Sequence, residues 1–382
     1  MKRYLFDNIL KDLRKKIVFI TGPRQVGKTY LAKELMQLFR NPQYLNYDNL
    51  GDRRIIAEQG WLPNSELIVF DELHKMNNWK NYLKGVFDKK EENQSILVTG
   101  SARLDTFRQT GDSLAGRYFH FRLNPFSVEE LKNIISPYEV VNKLNKFGGF
   151  PEPLLQSLSL DEDSAIIESN RWKKQYYTDL IREDIFEFSR ITEINVMKTL
   201  VEVLRTKIGS PISYNSIAED LQVSPNTIKK YVYILESLYV IFQIRPFHKN
   251  IARSLLKEPK IYFYDSSFVK GDEGIKLENT VAVSLLKHVQ FLQDVYGKES
   301  NLGYLKTKDG KEIDFVLGNN DLPEKFIEVK LSNKKIDSNL RYFAERFPQV
   351  ESIQLVHNLR QEEVRDSIQL LTASKWLANL SA

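Results

Sequence analysis

Residues 17–29 read IVFITGPRQVGKT: a short β-branched apolar run, then Gly22, and after four residues Gly27, Lys28 and Thr29. The G-x-x-x-x-G-K-[ST] spacing works only where a buried strand stops, the backbone turns tightly and a helix begins. It therefore commits the start of the chain to an α/β layer with a strand feeding a helix N-terminus. The two glycines, with Pro23, Arg24, Gln25 and Val26 between them, allow backbone N–H groups to wrap phosphate oxygens. Lys28 is a point charge for the β- and γ-phosphates. Thr29 offers a hydroxyl to Mg²⁺, and the helix that also carries Tyr30 aims its positive end at the anion.

Residues 67–72, LIVFDE, form an apolar run that closes on two acids. A buried parallel strand reads this way, and α/β ligands bind at carboxyl ends of strands. Asp71 is placed to hold Mg²⁺ and Glu72 to orient and deprotonate an attacking water.

Strand and helix patterns alternate through residues 1–122, with strands at 17–21, 43–47, 67–71, 95–100 and 117–122 and helices at 28–39 and 79–88. That alternation predicts a parallel sheet covered on both faces. MKRYLFDNILKDLRKK reads as an amphipathic helix rather than a signal peptide. Helical character follows at 126–140, a break at GGFPEP (148–153), a long helix over 163–190 and a helical unit over 193–240. Strands return from 261, with helices near 278–288, 338–347 and 361–371. The expected domains are 1–160, 161–258 and 259–382. The absence of cysteine excludes disulfides and thiolate-bound zinc, and no apolar run is long enough for a membrane span. A cytoplasmic protein is expected. The net charge of +5 favours an anionic partner only weakly.

SILVTG ends in Thr99, Gly100 and Ser101, where a hydroxyl could sense a γ-phosphate or Ser101 could cap a helix. Arg117, in SLAGR, is a candidate arginine finger, with Arg103 and Arg24 as competitors.

ITGPRQVGKT, LIVFDE, LVTGSAR, SLAGR, LNPFSVEEL and GGFPEP, in this order, resemble a large prokaryotic group of AAA+ ATPases with a C-terminal domain of unknown function. The resemblance implies ATP and Mg²⁺ as ligands, with Lys28 and Thr29 at phosphate and metal and Asp71 and Glu72 as the Walker B pair. It also implies that SLAGR and GGFPEP belong to ATP-responsive machinery.

Residues 213–240 read as a helix-turn-helix, with Ser224 as N-cap and Pro225 at the first helical position. Ile228, Tyr231, Val232, Leu235 and Leu238 form the buried stripe, and Asn226, Lys229 and Lys230 point outward. YVIFQI and the turn at HKN suggest a winged version. Residues 221–260 carry seven Lys/Arg against two acids, which suits a phosphate backbone; a protein–protein module is the alternative.

In the C-terminal region, period-2 alternation sets Asp314 on one polar strand face and Glu328 with Lys330 on another, to either side of GNNDLP. If those faces coincide, the three side chains could bind Mg²⁺ and activate a water, and Glu278 at the start of ENTVAVSLLK could add a carboxylate. The set is similar to the PD-(D/E)XK nuclease superfamily, with Ile313 standing before the first acid.

The expected architecture is thus an α/β chain: a P-loop AAA+ parallel sheet with a helical lid, a winged-helix-like middle and an α/β nuclease-like C-terminal domain. The expected function is an oligomeric ATPase acting on or near DNA, with Asp314, Glu328, Lys330 and Glu278 as candidate nuclease residues. One alternative is a signalling switch whose nuclease-like domain binds a partner; another is a non-catalytic DNA-binding regulator.

Overall fold

A computed structural model describes residues 1–100, 114–180, 185, 194–247, 257–332 and 335–382. Ser101 and Arg103 lie outside the described residues, as do the whole HKN turn and its continuation to 256. The chain divides into two compact units, 1–124 and 125–382.

The first unit is a five-stranded parallel sheet of β1 (Ile17–Thr21), β2 (Gln43–Asn46), β3 (Leu67–Asp71), β4 (Ser95–Thr99) and β5 (Tyr118–Arg122), in the order β2-β3-β4-β1-β5. β1, β3 and β4 are buried at every position, so their near-continuous apolar runs reflect coverage on both faces. Helices α1 (Phe6–Leu13), α2 (Lys28–Met36), α3 (Leu50–Glu58) and α4 (Trp79–Lys89) connect or precede these strands. Phe19, Ile68, Phe70, Ile96 and Val98 pack with Leu83 and Val86 of α4. Each such side chain contributes ~1.5–3 kcal/mol relative to exposure. The register Ile17↔Tyr118 through Thr21↔Arg122 brings β5 alongside the nucleotide-loop strand.

The second unit begins with α5 (Val128–Leu131), α6 (Pro137–Phe147), α7 (Pro151–Ser159) and α8 (Glu162–Asp179). The GGFPEP break is a helix-to-helix joint. Gly148 ends α6 at φ 76, and a Cβ there would collide with the Asp265 carboxylate, while Pro151 sits in the first turn of α7. Next come α9 (Ile194–Leu204), α10 (Tyr214–Asp220) and α11 (Pro225–Ser237). Ser224 caps α11, its hydroxyl accepting from Thr227 N at 3.1 Å.

The remaining elements are β6 (Ile241–Pro246), β7 (Lys260–Phe263), α12 (Glu273–Tyr296), β8 (Ser300–Lys306), β9 (Glu312–Asn319), β10 (Leu322–Lys330), α13 (Ser338–Arg346), β11 (Glu351–Val356), β12 (Glu363–Arg365), β13 (Ile368–Thr372) and α14 (Ala373–Leu377). One mixed sheet orders the strands β12-β13-β11-β10-β9-β8-β6-β7.

Three expectations change. The helix expected at 361–371 is a hairpin: Asp366 and Ser367 both take positive φ, and β13 pairs with β11. The β6–β7 hairpin is not a freestanding wing, because β6 also pairs with β8 at Arg245↔Gly303. Gly303 permits that approach: a Cβ would lie 3.1 Å from the Arg245 carbonyl oxygen. The boundaries near 160 and 258 also differ from the observed grouping: residues 125–160 fall in the second unit, and β6 and β7 join the C-terminal sheet.

Candidate functional site

The strand–loop–helix at 17–36 has the expected geometry. Gly22 takes φ 145, and a Cβ on it would run into the Leu123 carbonyl oxygen. Gly27 takes φ 99 at the N-terminal boundary of α2, and Gln25 is left-handed at φ 59. Only glycine enters such a backbone at little cost at the first two positions. Lys28 is buried, and its Nζ donates to the carbonyl oxygens of Gly22 at 2.9 Å and Pro23 at 2.7 Å. The loop therefore curls around an ammonium. Gly22, Pro23 and Val26 are buried, Arg24 and Gly27 half-buried, and Gln25 and Tyr30 exposed.

At the end of β3, Asp71 collects three hydroxyls. Thr29 Oγ1 lies 3.3 Å from Oδ2, Thr99 Oγ1 donates to Oδ1 at 2.6 Å, and the Tyr44 hydroxyl donates to Oδ2. Parallel pairing of β3 with β2 and β4 produces this convergence, because Asn46, Asp71 and Thr99 stand in register at the strand ends. Thr29 and Asp71 form an oxygen-donor pair suited to Mg²⁺, which favours oxygen ligands.

Glu72 follows in a left-handed conformation, φ 55, with its N–H held by the Thr99 carbonyl at 3.0 Å. Such a backbone costs ~1–3 kcal/mol and persists only where its surroundings enforce it. Burial, reinforced by the charge of Asp71, raises the Glu72 carboxyl above the usual range, against the pull of Lys28 and Lys75.

Arg117 stands away from this loop. Its carbonyl accepts from Ile17 N, so it lies before β5, at the opposite end of the parallel sheet from the nucleotide loop. Five residues of β1 separate the levels, about 16 Å at ~3.3 Å per residue. Its guanidinium pairs with Asp88 at 2.9 Å. Within one chain Arg117 does not reach the loop.

In the second unit, Asn226, Lys229 and Lys230 are exposed on α11, opposite the buried Ile228, Tyr231, Val232 and Leu235.

The C-terminal acids meet at one place. The β9–β10 register runs to Phe315↔Ile327. Just beyond it, Asp314 Oδ2 accepts from Val329 N at 3.0 Å, and Asp314 N approaches Glu328 Oε2 at 3.4 Å. Lys330 Nζ pairs with Glu328 at 2.7 Å and with Asp337 at 3.1 Å. α12 begins five residues before Glu278, capped by Asp272, so Glu278 stands inside the helix rather than at its start. Its Oε1 accepts from the Tyr262 hydroxyl at 2.7 Å. Burial, then the Asp314 charge, pushes Glu278 up to about 7 and Glu328 up to about 8.

Sequence reasoning missed Lys260. This lysine is fully buried, with Nζ 2.5 Å from Glu312 Oε1 and 3.7 Å from Asp314 Oδ1. Its position opening the KIYFYD strand was visible, but nothing local distinguished it from a solvated lysine. The oxygens of Asp314 and Glu328 face amides or ammonium groups, and among the described residues no three His, Asp or Glu side chains form a group able to hold a metal ion.

The parallel sheet, the loop around Lys28 and the Asp71 hydroxyl cluster define a P-loop nucleotide-binding unit, and residues 14–132 match the AAA domain family. Over those residues the unit is similar to AAA domains. Two families described only as domains of unknown function match residues 138–275 (DUF8612) and 273–376 (DUF4143). An uncharacterized protein of Haemophilus influenzae is 24% identical over 78% of this chain and 79% of its own length. An uncharacterized protein of Mycobacterium tuberculosis is 24% identical over 86% of this chain and 73% of its own. One of Methanocaldococcus jannaschii is 25% identical over 86% and 78%. A solved Signal Transduction ATPase with Numerous Domains (STAND) protein with a tetratricopeptide repeat sensor, from Pyrococcus horikoshii, aligns at 16% identity and TM-score 0.30 over 78% of this chain. The chain spans about half of that protein, 48%, and a likeness this weak says nothing of function. No helix among the described residues is long and apolar enough to cross a membrane.

Proposed function

We propose that this chain is an ATP-hydrolysing switch of AAA type whose C-terminal domain recognises a partner. The observation that carries the reading is the meeting of Thr29, Tyr44 and Thr99 on Asp71 beside a loop wrapped around Lys28. Thr29 and Asp71 would hold Mg²⁺, which when bound supplies charge compensation for the phosphates. Lys28 exchanges its carbonyl partners for phosphate oxygens. Glu72 orients the attacking water and accepts its proton, a role that the raised carboxyl pKa suits. Arg117 acts on the nucleotide of a neighbouring copy, because the sheet holds it away from its own; a homo-oligomer follows from that role. ATP turnover by wild type, Lys28→Ala and Glu72→Gln tests the reading.

Duplex DNA is the partner we favour for α11, on the exposure of Asn226, Lys229 and Lys230. The second reading, metal-dependent phosphodiester cleavage, is favoured by one observation: Asp314, Glu328, Lys330 and Glu278 share a cluster. A cleavage assay with Mg²⁺ and Mn²⁺ on several DNA structures separates the two. Metal-dependent cutting lost on Asp314→Asn would favour the second.

A further inference from the structure

We propose that Lys260 is a built-in cation occupying the centre of the C-terminal carboxylate cluster, so that the cluster takes no divalent metal ion. This inference bears on the domain assigned above to partner recognition, and it stands or falls independently of ATP turnover.

The cluster joins Glu278 of α12, Glu312 and Asp314 of β9 and Glu328 of β10. Several carboxylates in one buried region repel one another, which raises their proton affinity and favours a positive charge among them. A metal ion is one solution and an ammonium is another. Lys260 is fully buried, a state that costs several kcal/mol for a lone charge and so requires compensation. Compensation comes from several sides. Glu312 and Asp314 lie within ion-pair reach, Glu278 adds its field, and the Tyr304 ring stands 5.3 Å from Nζ. Nζ meets Glu312 Oε1 at 2.5 Å in a charge-assisted contact and stands 3.7 Å from Asp314 Oδ1. It acts as a point charge among oxygens, as a metal ion would.

Backbone pairing holds the lysine there. Lys260 opens β7, stands opposite Ile244 of β6 and is bridged on its other side to Pro211. The neighbouring charges are matched as well: Lys306 takes the second oxygen of Glu312 at 2.9 Å, and Lys330 takes Glu328 and Asp337. Oxygens of Glu312, Asp314 and Glu328 that a metal would need are thus turned toward ammonium or amide groups, and Glu278 Oε1 toward the Tyr262 hydroxyl. The arrangement ties the edge hairpin to β9 and removes the means of generating a metal-bound nucleophile.

The test is a Mn²⁺ titration of the full nucleotide-free chain by calorimetry and by Mn²⁺ electron paramagnetic resonance. Without nucleotide, the P-loop has no phosphates with which to hold the metal. Wild type should show no saturable binding below about 1 mM, the weak end of protein sites for hard cations. Lys260→Met removes the ammonium while keeping most of the apolar stem, and should gain a site that Lys260→Met with Asp314→Asn loses again. Wild-type binding abolished by Asp314→Asn would overturn the proposal, as would a folded Lys260→Met chain that takes no Mn²⁺. Should Lys260→Met fail to fold, the wild-type titration decides alone, with Asp314→Asn as its control.

Discussion

Asp314 and Glu328 each reach across to the other's strand: Asp314 Oδ2 accepts the Val329 N–H at 3.0 Å, and Glu328 Oε2 faces the Asp314 N–H at 3.4 Å. Regular β9–β10 pairing gives way there, and carboxylates stand in for ladder carbonyls. The two acids are therefore structural acceptors as well as charged groups.

The buried acids give a signed pH dependence. Glu328 is pushed up to about 8 and Glu278 to about 7, both mainly by burial, against an unfolded value of ~4.3. Between those values the folded chain binds more protons than the unfolded one. Stability from these groups is thus fully present below pH ~4.3 and is lost as pH rises through 7 to 8, by about 1.4 kcal/mol per pH unit per extra proton at most. Glu328→Gln should gain stability relative to wild type between pH 5 and 8 in denaturant titrations. A wild-type-to-variant difference that does not change with pH would count against the raised carboxyl.

Gly22→Ala should lower thermal stability by about 1–3 kcal/mol, because alanine rarely adopts φ 145 and its Cβ meets the Leu123 carbonyl oxygen. Nucleotide affinity should fall with it. An unchanged Tm by calorimetry would mean that the loop relaxes without cost.

DNA binding, if α11 makes phosphate contacts, should depend steeply on salt. Lys229→Ala and Lys230→Ala should each lower the log–log salt slope by about 0.9 on duplex. Fluorescence anisotropy at several salt concentrations measures it, and wild type without affinity at low salt would make α11 a packing helix.

The nucleotide half was legible because its determinants are local. The five strands of the first unit fall where the apolar runs lie, and Gly22, Gly27 and Lys28 carry their geometry in their residue types. The C-terminal half was less legible because its partners are distant in sequence. Val364 and Leu370 look helical in their own window; pairing with β11 and left-handed turn residues at Asp366 and Ser367 make them strands. The Asp314–Glu328 convergence was readable from alternation across one hairpin. The burial of Lys260 was not, because Glu312 and Asp314 lie more than fifty positions along the chain and only the sheet order brings them together.

ATP turnover by the full chain, measured with Mg²⁺ across pH, tests the central claim most directly. Wild type should hydrolyse ATP. Lys28→Ala should lose nucleotide binding, and Glu72→Gln should bind ATP but turn over about 10²–10⁴-fold more slowly, since an amide cannot accept the proton. The wild-type rate should decline on the acid side from a higher pH than an ordinary glutamate would give, because burial and Asp71 raise Glu72. Equal turnover by wild type and Glu72→Gln, or ATP binding untouched by Lys28→Ala, would contradict the account.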